Sequence, residues 1–264
     1  MSFVKLEGKV QTVLGPVDPQ NRGSVMSHEH LLINFLCMFR PPEEVTEWAR
    51  AHEPLTISNL GWVRHNWFSN KDNLLLTDER LAILEATLYK NLGGGAIVDV
   101  TTIGIGRDPR ALARIARATG LNVIMGAGYY VGSAHPINMD QLTVSDICKQ
   151  IVTDIRHGVE DTNVRAGIIG EIGCTWPLAP NEIKVLKGAA AAQQETGAAI
   201  LIHPGRDEQA PRAILDVLSE NGADLTRTIM GHLDRTVSDI DALIDVARSG
   251  CYLEWDRRII PCPR

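Results

Sequence analysis

The 264-residue chain is poor in aromatic residues, 5% in all, and has no apolar run near the ~18 residues that a membrane helix needs. A bilayer span is therefore not expected. Basic tracts are also missing. With 26 Lys and Arg against 32 Asp and Glu, the net charge is -6, which argues against a nucleic-acid partner. Five cysteines (Cys37, Cys148, Cys174, Cys251, Cys262) show no CxxC spacing, and their odd number fits reduced thiols in the cytosol better than a disulfide framework. Lys5, Glu7 and Lys9 interrupt the stretch where a signal peptide would be apolar, so export is not expected. Low-complexity segments and Ser/Gly-rich linkers are absent too, which reads as one domain over residues 1–264.

What is present is an ordinary globular composition, 44% hydrophobic and 22% charged. From about residue 95 onward, short β-branched runs alternate with segments of helical periodicity. Strands are expected at Ser24–His28, Ala96–Thr101, Asn122–Ala127, Ala166–Ile172, Ala198–His203, Thr228–His232 and Cys251–Trp255, nearly all of them continuously apolar as strands covered on both faces are. Helix starts are signalled at Asp108-Pro109, Thr143, Ala179-Pro180 and Ser238. Gly120, Gly158, Gly197, Gly222 and Gly250 fall where a left-handed residue would end a helix. Strands joined by crossover helices make a parallel sheet, either doubly wound or an α/β barrel of the TIM (β/α)8 type. Residues 34–76 break the rhythm with Trp48, Trp62, Trp67 and Pro41-Pro42, and read as a long loop with short helices and no clear strand. In a barrel such an insertion after the first strand would shape the mouth of the site.

The polar residues at strand ends decide between the two sheets. His28 and His30 lie two apart at the end of the first strand, so both can reach one metal while Glu29 points away. Glu171 interrupts an apolar strand, where an unpaired carboxylate would cost several kcal/mol, so a salt bridge or a bound cation is required. His203 and His232 each close an apolar strand just before a loop. Singly, each reads equally as a structural residue. All five at the C-terminal ends of parallel strands, where barrel active sites assemble, point instead to a metal site. Imidazole nitrogens with one carboxylate suit Zn, Mn, Fe or Co better than Ca or Mg.

His-x-His on the first strand, an acid on the fourth and single histidines on the fifth and sixth resemble the phosphotriesterase-like branch of the amidohydrolase superfamily. The likeness covers roughly residues 5 to 256. The phrases Met26-Ser27-His28-Glu29-His30, Gly170-Glu171-Ile172-Gly173-Cys174 and Gly231-His232-Leu233-Asp234 look most similar to its animal subgroup, in which a Glu replaces a carboxylated Lys. This resemblance implies two divalent cations, of which zinc is the expected metal. His28 and His30 would hold the first and His203 and His232 the second, with Glu171 bridging both. It also implies an eighth strand bearing an Asp ligand. After Asp256 the residues 257–264 instead read as an atypical tail whose two prolines oppose both strand and helix, so seven strands and an incomplete barrel are expected. Asp256 lies one strand too early to replace that Asp readily.

The reaction expected is metal-assisted hydrolysis by a hydroxide that the cations share, and no Ser or Cys nucleophile is needed. Glu171 and Asp234 are the catalytic candidates, Asp234 as ligand orienter or proton carrier and equally as a cap. Arg206 and Arg235 follow two of the ligands and could clamp an anionic group, or simply be solvated. Tyr129 and Tyr130 offer one ring wall and one phenol donor, with Tyr129 taken as the substrate-binding candidate. Within the resemblance, the substrate is a small N-acyl amide such as N-acetyltaurine, with lactones and phosphotriesters as alternatives. A catalytically impaired binding protein is the alternative from another class. A homo-oligomer is compatible with all of these.

Overall fold

The computed structural model describes residues 8–21 and 23–256. The chain opens with an antiparallel hairpin of β1 (Val10–Thr12) and β2 (Gly15–Val17), followed by β3 (Ser24–Glu29) and the two-residue strand β4 (Ile33–Asn34). The segment after it contains α1 (Leu60–His65) and ends at β5 (Leu75–Leu76). Helix and strand then alternate: α2 (Glu79–Asn91), β6 (Gly94–Asp99), α3 (Pro109–Thr119), β7 (Asn122–Ala127), α4 (Val144–Arg156), β8 (Ile168–Gly173), α5 (Pro180–Thr196), β9 (Ile200–His203), α6 (Ala210–Glu220) and β10 (Thr228–Met230). Last come the one-turn α7 (Leu233–Thr236), α8 (Ile240–Arg248) and β11 (Tyr252–Leu253).

Seven strands form one parallel sheet in the order β3-β6-β7-β8-β9-β10-β11, an α/β half-barrel built from the seven strands expected. Both faces of the strands are apolar, and each face has its own core. Ala96, Val100, Ile124, Ile168 and Leu201 pack together inside the curve of the sheet. Ile97, Val123, Met125, Ile169, Ile200 and Ile202 face the helices. The helix ends follow local chemistry. Asp108 accepts from the Ala111 amide with Pro109 in the first turn, and Thr143 and Asp146 cap α4 reciprocally. Gly120 and Gly197 end α3 and α5 in the left-handed conformation that glycine adopts without strain.

Three expectations are corrected. Asp239, not Ser238, caps α8, because the Ser238 hydroxyl is taken by Glu208. The β1–β2 hairpin did not read as strand, yet Val13 N–H donates to Val123 O at 2.9 Å and Val10 packs against the inner core of Ile124 and Ile168. The insertion does contain strand: β4 and β5 pair antiparallel at its base (Ile33 with Leu76, Asn34 with Leu75), so the long loop leaves and re-enters at one fixed point. A pairing of two residues leaves no periodicity to recognise.

Among the described residues no strand pairs with the outer edge of β3 or of β11. The tail at 257–264 lies outside the described residues. The two edges are nevertheless joined by side chains: Ser27 Oγ donates to Glu254 Oε1 at 2.6 Å, and His28 Nδ1 donates to Glu254 Oε2 at 3.0 Å. Among the described residues no helix is long and apolar enough to cross a membrane.

Candidate metal centre

Glu171 stands where strict alternation along β8 would turn it outward, since Ile168 faces the inner core and Ile169 the helices. The register against β9 slips between Ile169 and Ile172, so an extra residue is accommodated there and Glu171 is re-aimed inward. Gly170 makes this geometry available: at its φ of 131° a Cβ would lie 2.4 Å from Leu201 O. A similar slip in β3, between Met26 and Glu29, lies at Ser27 and His28. Asp99 then fixes the chain beyond β3, accepting from Leu31 N–H at 2.7 Å and Thr101 N–H at 3.1 Å.

All four expected histidines converge on Glu171. His28 Nε2 lies 3.1 Å and His203 Nδ1 2.7 Å from Oε2, with His232 Nε2 at 3.5 Å from the same oxygen. His30 Nε2 lies 3.2 Å from Oε1. The ligand atoms of His28, Glu171 and His232 all fall within 4.8 Å of one another. His232 is held in place by its backbone, with a φ of 55° just beyond β10, and its carbonyl accepts from Thr236 Oγ1 at 2.8 Å. That left-handed conformation costs a non-glycine residue about 1 kcal/mol.

The second nitrogen of each ring is also engaged. Thr101 Oγ1 donates to Leu32 O at 3.1 Å, so it accepts from His30 Nδ1 at 2.9 Å. Glu254 takes His28 Nδ1, Asp256 takes His232 Nδ1, and His203 Nε2 faces the Tyr130 hydroxyl at 3.2 Å and Arg235 Nη2 at 3.1 Å. The partners of His28, His30 and His232 are acceptors, the kind of outer partner that orients metal-ligating imidazoles, whereas Arg235 donates to His203 Nε2.

The electrostatics favour positive charge at the centre. Burial opposes ionisation of Glu171, but hydrogen bonds from His203, His232 and His28 hold its carboxyl well below the usual range. Burial would depress His28, yet Glu171 on one side and Glu254 on the other push it up to about 10. Burial wins at His203, which falls to about 4 and stays neutral. His30 turns Nδ1 to Thr101 and Nε2 to a carboxylate oxygen, so Nε2 is the atom it offers to a cation at Glu171. Separations of 3.1, 3.2 and 3.5 Å suit donors that share an ion with bonds of about 2.1 Å. The donor set therefore fits divalent metal.

Other candidates divide. Tyr129 does not reach the site: it is buried in the outer core, its ring against His135, while Tyr130, one residue on and on the opposite side of the chain, faces His203. Arg206 and Arg235 both line a cavity of about 680 Å³ that opens over His203. Asp234 lies beside Asp256, and its Oδ1 is buried without a hydrogen-bond partner. Asp256 thus sits on the outer side of His232 rather than among the atoms around Glu171. Sequence reasoning missed Thr101 and Glu254. Both are polar residues near C-terminal strand ends, the criterion that picked the histidines.

Comparisons with known proteins place the chain in a family. The model of the phosphotriesterase family matches residues 8–259. A human protein named N-acetyltaurine hydrolase is 46% identical over 252 residues, 95% of this chain and 72% of its own. A Nematostella vectensis protein named phosphotriesterase-related protein is 44% identical over 252 residues, covering 94% and 72%. Among solved structures, a resiniferatoxin-binding protein from Rhodobacter sphaeroides superposes with a TM-score of 0.91 at 38% identity, over 94% of this chain and 70% of that one.

Proposed function

The chain belongs to the phosphotriesterase family of hydrolases, and from that premise we propose that it cleaves small N-acyl amides, N-acetyltaurine foremost, at the cluster around Glu171. The observation that carries this reading is the convergence of four imidazoles on one buried carboxylate. The choice of amide rests on the 46% identity to the human N-acetyltaurine hydrolase.

His28 and His30 would hold one divalent ion, His203 and His232 a second, and Glu171 both, with zinc the expected metal. When bound, the ions supply Lewis acidity toward the acyl oxygen and activate water at neutral pH. Glu254, Thr101 and Asp256 keep the imidazoles turned inward. Tyr130, whose phenol burial pushes well above its ordinary value, stays protonated and is positioned beside His203 to donate to a bound carbonyl. Asp234, with one free buried oxygen beside Asp256, is the residue assigned to carry a proton between site and solvent. Arg235 and Arg206, on the cavity wall, face the rest of the substrate.

The test is metal-reconstituted protein assayed against N-acetyltaurine, one lactone and one phosphotriester, with metal content measured in parallel. About two ions per chain and preferential amide turnover are expected, both abolished in Glu171→Ala. A binding role without turnover is the second reading, favoured by the 38% identity to a protein named for binding resiniferatoxin. Two bound metals with background hydrolysis of all three substrates would select it.

A further inference from the structure

The cavity above His203 is walled on its far side by the insertion, which contributes Phe35, Phe39, Arg40, Trp67 and Phe68. Trp67 and Phe68 stack with ring centroids 4.2 Å apart and planes 20° from parallel. Two guanidiniums rest on this pair: Arg206, from the loop after β9, lies 5.8 Å from the Trp67 centroid, and Arg40 lies 5.4 Å from that of Phe68. The Arg40 N–H donates to Phe68 O at 2.9 Å, so the backbone fixes this arginine to the platform whatever its side chain does.

Arg40, Arg206 and Arg235 bring three positive charges to one cavity. Among the described residues none of the three is ion-paired with a carboxylate. The single carboxylate among the described lining residues is Glu182, and it is already consumed: Gly132 N–H donates to Oε1 at 3.0 Å, and Thr175 N–H, Thr175 Oγ1 and Ala179 N–H donate to Oε2 at 2.9, 2.8 and 3.1 Å. The charges feel one another, since burial and then the neighbouring Arg206 lower Arg235. Cation–π contact holds both guanidiniums near the ring pair and leaves their N–H groups unclaimed.

We propose that Arg40 and Arg206, beside the Trp67–Phe68 stack, bind the anionic end of the substrate, so that the insertion selects acyl amides ending in a small anion. The inference rests on the hydrolase reading for its orientation, with the acyl group toward Glu171 and the anion toward the mouth. Sulfonate and carboxylate share the required chemistry.

The experiment compares wild type, Arg40→Met, Arg206→Met and Arg40→Lys on N-acetyltaurine, N-acetyl-β-alanine and the uncharged analogue N-[2-(methylsulfonyl)ethyl]acetamide. Each Met variant is expected to raise KM for the anionic substrates by about tenfold or more with kcat little changed, and to raise KM for the uncharged sulfone, whose oxygens accept hydrogen bonds without charge, by much less. Arg40→Lys should fall between, keeping the charge but losing the planar fork. The ratio of the two anionic substrates in wild type tells sulfonate from carboxylate. Calorimetric titration with ethanesulfonate and propionate reads the same site without turnover. Ethanesulfonate binding that weakens in both Met variants, in a protein that hydrolyses nothing, would sustain the anion site and reject the hydrolase reading. Turnover with equal KM for charged and uncharged substrates, unchanged in the Met variants, would overturn the anion site and leave the hydrolase standing.

Discussion

Glu254 grips His28 from 226 positions away: its Oε2 accepts from Nδ1 at 3.0 Å, while its Oε1 is held by Ser27 Oγ at 2.6 Å. One carboxylate therefore orients an imidazole of the candidate metal centre and also ties the end of β11 to β3 across the open side of the sheet. Glu254→Gln keeps an acceptor for Ser27 but presents an amide N–H, or a weaker acceptor, to His28. Metal affinity should drop by about 10–100-fold, as for other outer partners of ligating histidines. Competition against a zinc-buffering chelator checks it, and unchanged affinity would mean that Glu254 serves only to hold the sheet edges.

The adjacent tyrosines make a matched pair. Tyr130→Phe removes a hydroxyl 3.2 Å from His203 Nε2 and should lower kcat/KM by about tenfold, the worth of one hydrogen bond of about 1 kcal/mol or a little more. Tyr129→Phe, in the outer core, should leave kcat/KM within about twofold. Steady-state kinetics on both variants, with melting curves to show that each folds, separates the two roles. Equal losses would place both rings in one network.

How much of this was legible in the sequence depended on whether a feature was local. Most strands read correctly because they are continuous apolar runs, and Glu171 announced itself because an isolated carboxylate in such a run needs a partner. What stayed hidden belongs to pairs of segments. The slips at Ser27–His28 and Gly170–Glu171 exist only relative to β6 and β9. Glu254 matters because the sheet curves until its last strand meets its first. Tyr129 and Tyr130 sit side by side in the sequence, and only the path of the loop says which one faces the cavity. Trp67, legible only as part of an insertion without rhythm, lies against Arg206 in the fold.

The Tyr130 loop is set down directly on β8. A Cβ at Gly173 would stand 2.2 Å from Val131 N and 2.5 Å from Tyr130 C, both of them backbone atoms that cannot rotate away. Gly173→Ala must therefore move the loop or the strand. It should cost about 1–3 kcal/mol of stability and lower turnover with it, because the displaced residues include Tyr130. Denaturant melts and kinetics on the same sample test this. A variant with wild-type stability and activity would show that the strand and loop can separate freely.

Behind the site, Arg107 and Asp154 form a buried ion pair that joins the loop after β6 to α4: Nη1 donates to Oδ2 at 2.8 Å and to Gly126 O at 3.2 Å, while Gln150 holds Oδ1 at 2.8 Å. Burial raises Asp154 even with Arg107 beside it. Arg107→Leu would leave the carboxylate buried with Gln150 alone and should cost about 3–5 kcal/mol. The loss has a definite pH dependence. A carboxyl raised in the folded state favours folding while it is protonated, and that contribution disappears as pH rises through its folded value. Without Arg107 that value rises further, so the variant's deficit should be smaller near pH 5 than near pH 8. Removing both charges, in Arg107→Leu with Asp154→Leu, should recover much of the loss and flatten the difference between the two pH values. A deficit that is the same at both pH values in the single variant would mean that lost packing of the arginine stem, rather than the stranded charge, is what destabilises it.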